Sequence, residues 1–581
     1  MQNTTTPTKV TENGIVWTVR KGYENLQDTL NLNNLQSTLQ EKPYTLIKDT
    51  KVRSVFFIPN IDTHNRNIYV KYFKERAPRD FNRYLDFVKH LFIHTKAETE
   101  WDVGNRLLSK DINTALPLAI AEKRSWIFRK NSLLITQAIS NSECLMDFFQ
   151  SSFHGTSSGD ESIRKDHLIH DLALFVKEIH SKGFFHSDFH AGNVLIQFHH
   201  DHTGQDQPYS LYLIDLHHVK VLKSLSRLKI LYNIAQLFNS LSSSLTQSDK
   251  RQFFQSYGND SFGNTKDIEG LVDQADTLSS RLRFTHYKSR LKRCLKKSSL
   301  FSKKRLNSFK IFFRKGYDTE RFFNLIESHN NALVHKSCDR ILKHDRKTIL
   351  TRHPFKDKGI HNVIVKHYKT PRGLSLIKNS FRKSSGKRAW ISGNGLLVYG
   401  FGTALPLTLI EKRMLGVVTD SYIIMEEVSH SLEMDRYILK HFSDQGESKF
   451  ATMIKKRRSF LDHFAQIIAK MHNKGVFHHD LKSCNIMVTD NSSFDFTFLD
   501  FDNIRFGKHV SIQERIRNLT QINLSTPGCM TLKDRLRFLG TYLRQCNLQE
   551  EKRKIRNEVA TISKGEKILY VSCKGDVTED W

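Results

Sequence analysis

Two aspartates, Asp188 and Asp480, each close the same nine-residue phrase, His-x-Lys-Gly-x-Phe-His-x-Asp, at His180–Asp188 and His472–Asp480. Five residues after each comes an asparagine, Asn193 or Asn485. Further on lies an aspartate among apolar residues, Asp215 in LYLIDLHH and Asp500 in FTFLDFDN. A carboxylate able to take a hydroxyl proton, followed by an amide and a second carboxylate as oxygen ligands for Mg²⁺, is the residue set of phosphoryl transfer from ATP. Asp188 and Asp480 are the candidate catalytic groups, and Asn193, Asp215, Asn485 and Asp500 the candidate metal ligands. Upstream, IYVKYFK and VIVKHYK embed Lys71 and Lys366 in short β-rich runs, where a cation can meet nucleotide phosphates. Glu100, on the next predicted helix, is placed to pair with Lys71.

The second set departs from the first. Ala389 stands where the first has Glu100, and no Asp or Glu occurs between Lys366 and Glu411. Lys366 therefore needs Glu411 or a residue from the C-terminal lobe as partner, or the second site is weak. Two residues after the catalytic aspartate stands His190 in the first set and Lys482 in the second. A lysine there can touch the transferred phosphate as a point charge and is similar to protein kinases; the histidine is similar to small-molecule phosphotransferases. Asp500-Phe501-Asp502 offers two carboxylates where Asp215-Leu216-His217 offers one, so Asp502 is a secondary metal candidate. Neither lysine follows a GxGxxG loop, which argues against an ordinary eukaryotic-type protein kinase. His186 and His478 read as structural, Glu122 and Glu411 as strand-end salt-bridge partners, and His199, His200 and His202 as irregular loop residues.

These residues are carried by a long internal repeat. Trp101 to Pro117 and Trp390 to Pro406 span the same distance, in EWDVGNRLLSKDINTALPLAIAEKR and AWISGNGLLVYGFGTALPLTLIEKR, and both segments close on Glu-Lys-Arg. SLLITQAI and SYIIMEEV read as strands. Leu172, Phe175, Val176 and Ile179, and Phe460, Leu461, Phe464, Ile467, Ile468 and Met471, form helical apolar stripes. RQFFQSY echoes RLRFLGTY further on. The predicted fold is α+β: two tandem bilobal protein-kinase-like domains, residues 12–262 and 280–570, each with a strand-rich N-lobe and a helical C-lobe. The polar, Gly-rich residues 258–267 are the expected boundary.

At 581 residues the chain exceeds one core and suits two. Seven scattered cysteines without CxxC spacing suit a reducing cytoplasm. No secretory signal and no membrane-spanning run is visible, so a soluble or peripheral protein is expected. A net charge of +30 implies attraction to polyanions. It is densest over Lys288–Lys315, with twelve basic residues and no acid. That stretch reads as a solvated face or linker, or, through Phe301, Phe309, Phe312 and Phe313, as a contact surface.

The VKYF and VKHY runs, AETEW and KRAW with the ALPL segments after them, and the HSDFHAGN and HHDLKSCN loops resemble the bacterial lipopolysaccharide kinases, the Kdo and heptose kinases, in tandem duplication. The resemblance implies a kinase-like fold and ATP-dependent phosphorylation of a Kdo or heptose hydroxyl of the lipopolysaccharide inner core. It also implies peripheral binding at the cytoplasmic face of the inner membrane. The expected partners are inner core and lipid A or another anionic glycolipid, and the membrane surface; nucleic acid is not expected. Lys71, Glu100, Lys366 and Lys482 are the expected nucleotide-side residues. The alternatives are a Ser/Thr/Tyr protein kinase and a non-catalytic basic scaffold. The intact first set and Ala389 in the second suggest that the first domain catalyses while the second regulates or binds the acceptor.

Overall fold

The computed structural model describes residues 7–580 except 31–42, 51, 61–65, 75–94, 125–128, 154–158, 200–207, 243, 259–261, 263–266, 370–382, 415–416, 444–449 and 492. The chain divides into two compact units, Met1–Arg283 and Phe284–Trp581. Each is a bilobal α+β domain of protein-kinase-like architecture, so the fold is two such domains in tandem. Most of residues 258–267, and His200 and His202, lie outside the described residues.

The first N-lobe is an antiparallel sheet of β1 (Thr8–Glu12), β2 (Ile15–Val19), β3 (Thr45–Asp49), β4 (Arg53–Ile58), β5 (Ile68–Phe73), β6 (Pro117–Arg124) and β7 (Arg129–Gln137), in the order β1-β2-β6-β7-β5-β4-β3. Its first hairpin turns at Asn13 and Gly14, with φ of 50° and 73°, the left-handed pair that a two-residue turn between twisted strands requires. Lys71 lies on β5, opposite Leu134 of β7 and Val55 of β4. Trp17, Val70, Leu133 and Ile135 bury one face of the sheet. After the short helix α1 (Asn25–Thr29), α2 (Lys96–Leu108) packs on the sheet; its N-cap Thr95 forms a capping box with Glu98. The Thr95 hydroxyl also donates to Glu122, buried on β6. Glu122 thus ties helix to sheet.

The first C-lobe is built on α3 (Leu145–Ser152), α4 (Gly159–Ser181), α5 (Arg227–Ser240), α6 (Gln247–Tyr257) and the first part of α7 (Ile268–Leu291), which continues past Arg283 into the second unit. Leu172, Val176 and Ile179 of α4 bury their stripe against Phe253, Phe254 and Tyr257, with Phe175 at its edge. Between helices run β8 (Ser142–Cys144), β9 (Phe184–His186), β10 (Val194–Phe198), β11 (Tyr209–Leu213) and β12 (Val219–Val221). They pair as β11-β10-β8 and β12-β9 and hold the loops that carry Asp188 and Asp215.

The second unit repeats this plan. Its N-lobe holds β13 (Phe301–Leu306), β14 (Phe309–Arg314), helix α8 (Thr319–Val334), β15 (Ile341–His344), β16 (Thr348–Asp357), β17 (Ile360–Lys369), helix α9 (Ser385–Tyr399), the two-residue β18 (Gly402–Thr403), β19 (Pro406–Met414) and β20 (Val417–Glu426). The sheet order, β13-β14-β19-β20-β17-β16-β15, matches the first position for position. Lys366 on β17 faces Leu350 and Ile423, as Lys71 faces Val55 and Leu134. Glu411 on β19 accepts from Ser384, the N-cap of α9, and pairs with Arg413. The C-lobe carries α10 (Met434–Phe442), α11 (Phe450–Asn473), α12 (Ile512–Ser525), α13 (Leu532–Cys546) and α14 (Lys552–Lys564). No helix among the described residues is long and apolar enough to cross a membrane.

The basic stretch Lys288–Lys315 is part of this plan rather than a linker: it is the end of α7, a 3₁₀ turn and the β13–β14 hairpin. Its aromatics serve the fold. Phe301 packs edge-on against Trp390, Phe309 against Phe323, and Phe312 is buried, while Lys303, Lys304 and Arg305 face water. The repeat therefore begins earlier than its chemistry-bearing motifs indicate, at Arg-Lys-Gly-Tyr, residues 20–23 and 314–317. Arg20 donates to the Pro117 carbonyl (2.9 Å) and to Asn105; Arg314 donates to Pro406 (2.8 Å) and to Asn394 (2.7 Å). Each arginine joins the first hairpin to the helix.

Both helices also need a glycine where they cross the loop carrying the late aspartate. A Cβ on Gly393 would sit 2.7 Å from Pro406 and 2.9 Å from Phe501, and one on Gly104 would sit 2.7 Å from Pro117. Gly393→Ala is expected to lower unfolding free energy by about 1–3 kcal/mol through overpacking. Gly540→Ala, with nothing nearer than Arg544 at 3.9 Å, should be neutral or stabilising. Urea unfolding of the two variants measures the contrast, and equal stabilities would refute the close packing.

Candidate active site

In each unit the loop that carries Asp188 or Asp480 leaves a strand and turns beneath the N-lobe with its backbone buried, so its peptide groups need partners. They find them on one helix. From α5, Asn233 donates to the His186 carbonyl (2.7 Å), and Gln236 donates to Ser187 O (2.9 Å) and accepts from Phe189 N (3.1 Å). Ser240 accepts from Ala191 N (2.9 Å). From α12, Asn518 donates to His478 O (2.7 Å), Gln521 bridges His479 O and Leu481 N (2.8 and 3.1 Å), and Ser525 accepts from Ser483 N (2.9 Å). Each such bond spares a buried peptide group a penalty of about 1–3 kcal/mol. The sequence carries this cradle as N-x₂-Q-x₃-S, in NIAQLFNS and NLTQINLS, a signal that chemistry-bearing residues alone do not reveal.

The first histidine of each repeated phrase completes the cradle. His180 lies between Tyr257 OH (3.0 Å) and Asn233 (3.3 Å), and His472 between Tyr542 OH (2.7 Å) and Asn518 (3.0 Å). His186 and His478 each accept from the backbone N–H of the following aspartate, Asp188 or Asp480, at 3.2 Å, a structural role. His199 bonds Ser210.

In the first unit Lys71, Glu100, Asp188, Asn193 and Asp215 line one cavity of about 850 Å³. Lys71 Nζ lies 2.6 Å from Glu100 Oε2 and 3.9 Å from Asp215. Two neighbours missed in the sequence complete the cluster. His217 Nδ1 meets Glu100 at 2.9 Å and Asp215 at 3.1 Å, and Arg53 of β4 reaches Asp215 at 2.6 Å. Burial works to raise Asp215, but the His217 hydrogen bond and the charges of Lys71, His217 and Arg53 hold it well below the usual carboxylate range. Burial likewise opposes ionisation of Glu100, and Lys71 with His217 overcomes it. His217 shifts up: burial is outweighed by its bonds to Asp215 and Glu100. Asn193 commits its NH₂ to the Asp188 carbonyl (2.9 Å), which leaves Oδ1 for a cation, and its own carbonyl accepts from Ile214 N. An amide oxygen and a carboxylate suit Mg²⁺.

In the second unit the same backbone links recur: Asn485 donates to Asp480 O (3.0 Å) and accepts from Leu499 N, and Lys482 lies 3.1 Å from Asp480. Lys366 finds its carboxylates in the C-lobe, Asp500 at 2.6 Å and Asp502 at 3.2 Å, and Tyr368 OH donates to Asp502. Glu411 is committed to α9 and Arg413. Burial would lower the Lys366 ammonium, but the two aspartates raise it, and Lys366 holds Asp500 below its ordinary value despite burial. Burial pushes Asp502 up.

The cradle histidines have a consequence for stability. Burial pulls His180 down to about 4 and His472 to about 3, from 6.5. Both are neutral when folded, whereas the unfolded chain takes up these protons below pH 6.5. Stability is therefore fully present above that value and falls as pH drops towards 4. Each histidine is expected to cost about 2 kcal/mol between pH 7 and pH 5. Urea unfolding across this range checks it, and a flat profile would contradict the assignment.

The lipopolysaccharide kinase (Kdo/WaaP) family model matches residues 46–257 and 396–542. No curated protein matches the chain. Among solved structures, the chain is similar to WaaP in complex with acyl carrier protein, at 19% identity and TM-score 0.33, over 45% of this chain and 97% of that one. It is also similar to the kinase domain of Mycobacterium tuberculosis PknI (11%, TM-score 0.24, over 41% and 96%) and to that of BubR1 (10%, TM-score 0.25, over 46% and 82%). Matched over more than half of its 581 residues, in two segments that hold Asp188 and Asp480 in turn, the chain belongs to the lipopolysaccharide kinase (Kdo/WaaP) family.

Proposed function

We propose that the chain is an ATP-dependent kinase that phosphorylates a sugar hydroxyl, of Kdo or heptose, in the lipopolysaccharide inner core. It does so as a peripheral protein at the cytoplasmic face of the inner membrane. The observation that carries this reading is the single cavity in which Lys71, Glu100, Asp188, Asn193 and Asp215 converge. Two kinase domains, residues 12–262 and 280–570, would each provide such a set.

Lys71, held by Glu100, meets the nucleotide phosphates. Asn193 and Asp215 would hold Mg²⁺, which when bound would neutralise phosphate charge. Asp188, its side chain 49% exposed in the cleft, orients the acceptor hydroxyl and takes its proton. Lys366, Asp480, Asn485 and Asp500 hold the matching roles in the second unit, with Lys482 beside the transferred phosphate. The net charge of +30 suits an anionic, membrane-borne acceptor.

The test is phosphate transfer from labelled ATP to purified inner-core lipopolysaccharide by the wild type, Asp188→Asn, Asp480→Asn and the double variant. Label is expected on the glycolipid, and Asp188→Asn should lower transfer about 100-fold or more. Label on protein instead would favour a Ser/Thr/Tyr kinase. ATP binding without transfer would favour a scaffold.

A further inference from the structure

Three positions change together between the units. Phe73, Glu100 and His217 in the first become Tyr368, Ala389 and Asp502 in the second. Their places in the fold correspond. Phe73 and Tyr368 each lie two residues after the site lysine on the same strand. Glu100 and Ala389 are each the fifth residue of their helix, counted from the Thr95 and Ser384 caps. His217 and Asp502 are each the middle residue of a 3₁₀ turn that starts after a left-handed aspartate, Asp215 with φ 63° and Asp500 with φ 48°.

The chemistry of the exchange balances. In the first unit the helix supplies a carboxylate, which takes Lys71 and the His217 N–H, and Phe73 packs edge-on to His217. In the second unit the turn supplies the carboxylate, which takes Lys366 and the Tyr368 hydroxyl, and the helix offers a methyl group at a fully buried position. The hydroxyl gained at Tyr368 supplies the second donor that His217 supplies in the first unit. The three exchanges together keep one carboxylate with two donors beside each lysine. Lys366 lies nearer to Asp500 (2.6 Å) than to Asp502 (3.2 Å), but with Asp500 committed to a cation, Asp502 is the carboxylate left to hold the ammonium.

We propose that Asp502 is the positioning residue for Lys366, standing in for the helix acid absent at Ala389, and that the second unit is thereby a complete Mg·ATP site. This rests on the reading of the family fold as a nucleotide-binding one, but not on the acceptor. The anchor of Lys366 then lies on the metal-binding turn instead of the helix, so lysine placement in this unit is coupled to that turn.

The test reads binding, in full-length protein carrying Lys71→Ala to disable the first site, by calorimetric titration with Mg·ATP and with melting temperature measured alongside. The Lys71→Ala chain is expected to bind one Mg·ATP. Adding Asp502→Asn should weaken binding about 30-fold, the cost of truncating one partner of a buried charge pair. Asp502→Glu should retain most of the affinity, and Ala389→Glu added to Asp502→Asn should restore it where that protein melts as its parent does. No binding by the Lys71→Ala chain, equal affinity of Asp502→Asn and its parent, or loss of binding in Asp502→Glu would each overturn the proposal. The first of these, with wild type still binding one Mg·ATP, would leave the glycolipid-kinase reading standing; no binding by wild type would remove both.

Discussion

A lysine ammonium set into a sheet and shielded from water is unstable without a carboxylate against it, and much of each unit serves that pairing. Lys71 sits on a strand flanked on both sides, and Glu100, its partner, is itself buried and would be costly to ionise alone. The cap at Thr95, its tie to Glu122, the Arg20 clamp and the close approach at Gly104 all fix the helix that delivers Glu100. The same devices recur at Ser384, Glu411, Arg314 and Gly393, although the residue they deliver is now Ala389. The helix scaffold is thus kept in the second unit, while the carboxylates against Lys366 come from Asp500 and Asp502.

Beneath the lysine, a second constraint is the buried backbone of the loop that carries Asp188 or Asp480. The Asn, Gln and Ser of one helix hold it in both units with distances that agree closely, which is strong coupling for so short a motif. Asp188 and Asp480 can remain partly exposed to an acceptor because their backbones are held from below. Their side chains need no buried partners.

What the sequence revealed, and what it hid, follows from where the partners lie along the chain. The repeated phrase, the late aspartates and the β-rich lysines are local patterns, and they gave the α+β tandem kinase fold and the candidate site residues directly. Lys71 and Glu100 are paired in the sequence because Glu100 lies on the helix that follows the lysine strand. Arg53 and His217 act across the lobes, so no spacing rule exposes them; Asp502 stands out in the sequence as a secondary metal candidate, but its contact with Lys366, across 136 residues, does not. The basic run Lys288–Lys315 hides its fold because charge density masks alternation: its buried residues are Cys294, Phe301, Ile311 and Phe312. Aligning Arg-Lys-Gly-Tyr at residues 20–23 with 314–317 would have identified it as a hairpin.

The most direct measurement of the central claim, that the acid positioning the lysine comes from the helix in the first unit and from the 3₁₀ turn in the second, is a structure of the full chain with Mg²⁺ and a non-hydrolysable ATP analogue. The account predicts nucleotide in both units, Lys71 still on Glu100, and Lys366 still on Asp502 while Asp500 turns to the metal. Nucleotide in the first unit alone with Lys366 retained on Asp500, or Lys71 parted from Glu100, would contradict it.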